Sequence, residues 1–167
     1  PEARAAEKRE VTGEEPGVDS EIYAPPRDDR WRDAWNVTEA LITTMRDEVR
    51  ARGRQFWLVT LSTGIQVHPD PAVRRAFAER RGIQDLFYPD RRLASLASRE
   101  GIPTVTLAPE MSAWAETNGV YLHGFPNAAE GFGHWNEAGN ALAGELIAAR
   151  ICGAALLPAS RITSHHR

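Results

Sequence analysis

Cysteine and lysine each occur once in this 167-residue chain, and both shortages exclude something. A single thiol, Cys152, rules out an internal disulfide framework and any site held by several thiolates. With Lys8 the only lysine, arginine supplies nearly all the positive charge, and 20 basic side chains face 23 acidic ones for a net charge of -3. The two signs are interspersed, as in Arg46-Asp47 and Arg99-Glu100, and no basic face is concentrated, so no nucleic-acid partner is expected. Long hydrophobic runs are missing too. Nothing approaches the roughly 18 consecutive apolar residues of a bilayer-crossing helix, so no membrane span is expected in this chain. The sequence opens on proline without a targeting signal, which leaves its localisation unassigned.

What is present suits one folded domain. The chain is 42% apolar and 26% charged. A length of this order buries about 68–70% of the unfolded chain's surface, enough for a core without disulfides or a structural metal. Residues 1–30 carry 14 charged side chains and the breakers Pro16-Gly17 and Pro25-Pro26, and they read as a polar arm or linker. Residues 31–157 form the domain, and 158–167 a polar tail. No internal repeat is present.

Within the domain, Trp35, Leu41, Ile42, Met45 and Val49 recur at helical spacing before Gly53. Phe56 to Ser62 is a near-continuous apolar run rich in strand formers, as expected of a strand covered on both faces. Asp70-Pro71 predicts a helix N-cap followed by proline at the first position, with a stop at Gly82. Asp90 is expected to cap a helix over 91–100, and Pro103 to Ala108 to form a second strand. A helix near 110–118, an extended piece at Val120-Tyr121-Leu122, a glycine-rich loop over 124–133 and a last helix from Asn136 to Gly153 complete the pattern. Strands separated by helices predict an α/β fold with a parallel sheet. Two strands for about five helical segments is too few for a covered parallel sheet. The expectation is therefore an incomplete sheet, the C-terminal part of a longer domain whose N-terminal strands are missing; the alternative is a small complete sheet.

Catalytic side chains in such folds gather where strands end. Ser62-Thr63-Gly64 places a hydroxyl at the end of the best strand, in a setting that also suits an ordinary turn. His134 lies in the loop two residues before the Asn136 cap, where an imidazole is exposed yet anchored, as a general base requires. The competing reading is that His134 packs beneath Trp135. His123 reads as a loop residue bonded to backbone, and His165 and His166 as exposed tail. His123, Glu130 and His134 match no metal-ligand spacing, so neither metal nor cofactor is expected.

His134-Trp135-Asn136-Glu137-Ala138-Gly139 resembles the last block of the SGNH/GDSL hydrolases. The resemblance extends, in order, over Trp35 to Ile42, Val59 to Ser62, Asp85 to Asp90 and Gly101 to Pro109, or roughly residues 31–152. It implies a flavodoxin-like three-layer α/β/α fold and an ester hydrolase in which a histidine, here His134, activates a serine. That family's nucleophile follows the first strand in a Gly-Asp-Ser block, and a glycine and an asparagine from later blocks complete its oxyanion hole. None of these blocks is present; Asp19-Ser20 lacks a preceding apolar strand. The family's acid stands three residues before the histidine, a position filled here by Gly131. Glu130 becomes the candidate orienting carboxylate, with Asp90 and Glu110 as alternatives. The expected substrate is a small acyl ester or an acylated carbohydrate. The other readings are a carbohydrate O-acyltransferase, an α/β binding domain without catalysis, and a small intact hydrolase pairing Ser62 with His134.

Overall fold

The computed structural model describes residues 18–125 and 130–155. The arm over 1–17 and the tail over 158–167 lie outside the described residues. Five helices and two strands follow one another in the order α1 (Asp29–Ala51), β1 (Leu58–Thr60), α2 (Pro71–Arg81), α3 (Tyr88–Arg99), β2 (Thr104–Thr106), α4 (Leu107–Asn118) and α5 (Glu137–Ala155), with a 3-10 turn at Ser20–Tyr23 ahead of them. No described helix is long and apolar enough to cross a membrane.

β1 and β2 pair in parallel, with Leu58 opposite Thr104, Val59 opposite Val105 and Thr60 opposite Thr106. The fold is thus mixed α/β around a two-stranded parallel sheet. The ladder is shorter than the apolar run predicts, for reasons that lie in β2. Pro103 has no N–H to extend the pairing toward Phe56, and after Thr106 the partner chain turns directly into α4. Leu107 and Ala108, expected as strand, are helical for the same reason.

Neighbouring strand residues face opposite ways, and each face has its own core. Leu58 packs with Ile42 of α1, Leu96 and Ala97 of α3, and Ile102. Val59 and Val105 pack with Leu107, Met111 and Ala115 of α4 and with Leu142 and Ala143 of α5. Helices therefore cover both faces of the sheet. A third cluster joins Tyr23 to Ile65, Phe77, Ile83 and Leu86. Tyr23 is fully buried there, its ring edge-on to Phe77. The polar arm expected over residues 1–30 thus extends too far: residues 18–30 include this anchored turn and the start of α1.

Local signals place α2 as predicted. The Asp70 carboxylate accepts from the Ala72 N–H at 2.7 Å, Pro71 opens the helix, and Gly82 closes it in the left-handed conformation. Asp90 is different. It lies inside the first turn of α3, with Tyr88 and Pro89 ahead of it, and its carboxylate turns into the core instead of capping. Gly153 does not end α5, which continues to Ala155; it is not among the glycines with positive φ that such a stop requires.

Candidate active site

The loop that carries His134 is held between β1 and α5. His123 and Trp135 form an antiparallel bridge. Three backbone bonds extend it: Gly124 N–H to the His134 carbonyl at 3.0 Å, Gly131 N–H to the His123 carbonyl at 3.0 Å, and Asn136 N–H to the Leu122 carbonyl at 3.0 Å. The Asn136 side chain then does two jobs. Its Oδ1 caps α5 by accepting from Gly139 N–H at 2.9 Å, and its Nδ2 donates to the Tyr121 carbonyl at 2.8 Å. Gly139 is required by contact, since a Cβ there would stand 2.2 Å from the Leu122 carbonyl oxygen. The block from His134 to Gly139 therefore closes the loop against Tyr121 and Leu122.

His134 is exposed at this closure, and no described group hydrogen-bonds its ring. It does not pack beneath Trp135. The indole turns the other way, and its Nε1–H donates to Ser62 Oγ at 2.8 Å. Ser62 meets His123 there, not His134: Oγ lies 3.1 Å from His123 Nε2, while Nδ1 of the same ring lies 2.6 Å from the Gly133 carbonyl oxygen. A carbonyl only accepts, so Nδ1 carries the proton and Nε2 offers its lone pair to the Ser62 hydroxyl. Both residues are buried, Ser62 at 8% exposure and His123 at 4%. Burial pushes the His123 imidazole below its ordinary value of 6.5; the Gly133 carbonyl works against that and the neighbouring His134 adds to it. The result is a neutral histidine bonded to a serine, held in one tautomer by a backbone carbonyl.

The candidate acids lie apart from His134. Glu130 is exposed and borders an open depression with His123, Tyr121 and Asn136, without a described bond to His134. Glu110 pairs with Arg150 at 3.1 Å on the surface. Asp90 is buried, accepting from Thr60 Oγ1 at 2.5 Å and from Gln66 Nε2 at 2.9 Å, and burial raises its carboxyl above the usual range. The Asp19 carboxylate accepts from Glu21 N–H at 3.0 Å in the 3-10 turn, so Asp19-Ser20 is a capped turn and not a strand end. A side chain at position 131 would be strained and crowded. Gly131 has φ +83, and a Cβ would meet the Tyr121 ring at 3.2 Å and His68 at 3.5 Å.

His68 is a buried histidine that no motif in the sequence marks. Its Nδ1 accepts from Asp70 N–H at 3.1 Å, its ring meets Tyr121 edge-on, and Arg74 donates to its carbonyl. Burial lowers its imidazole as well. Among the described residues, no group of three histidine, cysteine or carboxylate side chains is placed to hold a metal ion. No protein family, curated protein or solved structure matches the chain.

Proposed function

We propose that this chain is the C-terminal part of a flavodoxin-like, three-layer ester hydrolase of the SGNH/GDSL type, with His134 as its general base and acid. The observation that carries the reading is the pinned loop: an exposed imidazole without a described partner, fixed by a bridge on one side and a capped helix on the other. Such a histidine can take a proton from a nucleophile brought to it and return it to the leaving group. In this reading a serine from outside the chain attacks the acyl carbon, and water or a sugar hydroxyl receives the acyl group. Water makes it an esterase, and a sugar makes it an O-acyltransferase. Glu130, in the same loop, is the carboxylate assigned to orient His134 in this reading, and the 167-residue chain alone is expected to be inert.

A second reading rests on the 3.1 Å contact between Ser62 and His123. Here Ser62 is itself the nucleophile, His123 takes its proton, and the Gly133 carbonyl holds the tautomer. Ser62 borders none of the described cavities, so this route needs the Trp135 loop to move. p-Nitrophenyl acetate hydrolysis separates the two, measured on the longer gene product and on the 167-residue chain. For His134 as base, the longer product is active, His134→Ala lowers its turnover by about 10²–10⁴-fold, and the short chain is inactive. If the short chain is active and takes a fluorophosphonate on Ser62, the second reading replaces the first. If neither His134→Ala nor His123→Ala changes turnover in either chain, both readings fail.

A further inference from the structure

The residues on either side of His134 are tied to each other through two buried side chains. The Trp135 indole N–H donates to Ser62 Oγ at 2.8 Å, and the His123 Nδ1–H donates to the Gly133 carbonyl at 2.6 Å. Ser62 closes the circuit. Its single proton has two acceptors in reach, His123 Nε2 at 3.1 Å and Met111 Sδ at 3.8 Å, and the imidazole nitrogen is the stronger. The bonds therefore run head to tail from Trp135 through Ser62 and His123 to Gly133, an order in which each bond polarises the next. His134 is held between them, since its carbonyl accepts from the Gly124 N–H at 3.0 Å. Three consecutive residues, 133–135, are fixed in this way while the His134 ring stays exposed.

Gly133 adds an independent sign. It has φ +78, the left-handed region that favours glycine, although a Cβ there would meet nothing within 4 Å. Crowding does not call for the glycine; the conformation that delivers its carbonyl to His123 does. Ser62 and His123 are both buried, and a fully satisfied polar network in such a place selects one arrangement of the chain over its neighbours. The arrangement selected here is that of residues 133–135. As a nucleophile Ser62 needs the Trp135 loop to move away, whereas as a link it is already in place.

We infer that Ser62, His123 and Trp135 are positioning residues for His134, a hydrogen-bonded clamp that fixes the peptide on both sides of it and holds the imidazole in line for proton transfer. None of the three touches substrate. The inference rests on reading His134 as the general base, and it gives Ser62 and His123 a different role from the nucleophile and base of the second reading. A misplacement of about 1 Å costs up to about 10²-fold in rate, which sets the size of the expected effect.

Two measurements on the 167-residue chain read the clamp without any activity. Exchange of the Trp135 indole N–H is expected to be at least about tenfold faster in Ser62→Ala than in the parent. The order parameter of the His134 amide is expected to fall from about 0.85 to below about 0.6 in the same variant. Turnover of p-nitrophenyl acetate by the longer gene product reads the consequence. Ser62→Ala is expected to lower kcat by about 10- to 100-fold with KM unchanged, and Ser62→Thr, which keeps the hydroxyl, to restore most of it. Trp135→Phe removes the indole N–H and lowers kcat as well, and the Ser62→Ala, Trp135→Phe double variant is no worse than Ser62→Ala, because both break one circuit. In a His134→Ala background Ser62→Ala changes nothing. Indole exchange and order unchanged in Ser62→Ala, or kcat unchanged despite faster exchange, overturns the proposal. A fluorophosphonate found on Ser62 overturns it too, by making that residue the nucleophile. If His134→Ala leaves turnover as it was, the hydrolase reading fails, while faster exchange and lower order in Ser62→Ala still establish the clamp.

Discussion

Asp90 shows how a single buried carboxylate ties the start of α3 to the end of β1 and the loop after it. Its two oxygens accept from two donors, Thr60 Oγ1 and Gln66 Nε2, and Gln66 in turn accepts from the Thr63 N–H and hydroxyl through Oε1. Gln66 also donates to the Leu86 carbonyl. Flipping the Gln66 amide would therefore set oxygen against two acceptors, so its orientation is fixed. Asp90→Asn keeps the volume but turns one acceptor into an NH2 group. Turned toward Gln66 that group would set donor against donor, so it turns toward Thr60, where the hydroxyl changes from donor to acceptor and a bond to a carboxylate becomes a weaker neutral one. The expected cost is about 1 kcal/mol, the difference between hydrogen bonds to a charged and to a neutral acceptor. Urea denaturation at neutral pH measures it, and a midpoint equal to that of the parent chain refutes the network as drawn.

At the scale of elements, Asn136 joins the start of α5 to the strand-like piece before the loop, and its two bonds can be separated. Asn136→Asp keeps an oxygen for the Gly139 N–H but loses the donor to the Tyr121 carbonyl, whereas Asn136→Ala loses both. Thermal unfolding is expected to show a loss of about 1 kcal/mol for the aspartate and about 2 kcal/mol for the alanine. Faster amide exchange at Gly124 and Gly131, which donate to the His134 and His123 carbonyls, accompanies both. Equal losses from the two variants refute the division of roles. These caps also show what a sequence makes legible. The bounds of α2 and the cap of α5 can be read directly because Asp70, Pro71, Gly82 and Asn136 act on their own neighbours. Asp90 has the same local appearance, yet its partners Thr60 and Gln66 are 30 and 24 residues away, and they draw its carboxylate into the core. Ser62 and His123 are 61 residues apart, so no spacing announces their bond. Position 131 is a related case, since the ring that crowds it belongs to Tyr121.

For the whole molecule, the buried histidines make stability depend on pH with a definite sign. His68 and His123 each offer a ring nitrogen as acceptor, to the Asp70 N–H and to the Ser62 hydroxyl, and protonation removes both acceptors. Burial holds both imidazoles below 6.5 in the folded chain. Between those lowered values and about 6.5 the unfolded chain binds more protons than the folded one. Stability is therefore complete above about 6.5 and falls as the pH drops through this window. Asp90 acts in the opposite direction, because its raised carboxyl makes the folded chain the stronger proton binder above 3.8, and this contribution fades as the pH rises. The expected outcome is a urea midpoint that climbs from about pH 5 to about pH 7. The climb is flatter in His123→Gln, which removes one titrating ring, and steeper in Asp90→Asn, which removes the opposing group. A parent midpoint that stays level or falls over this interval, or a slope unchanged in His123→Gln, refutes the assignment.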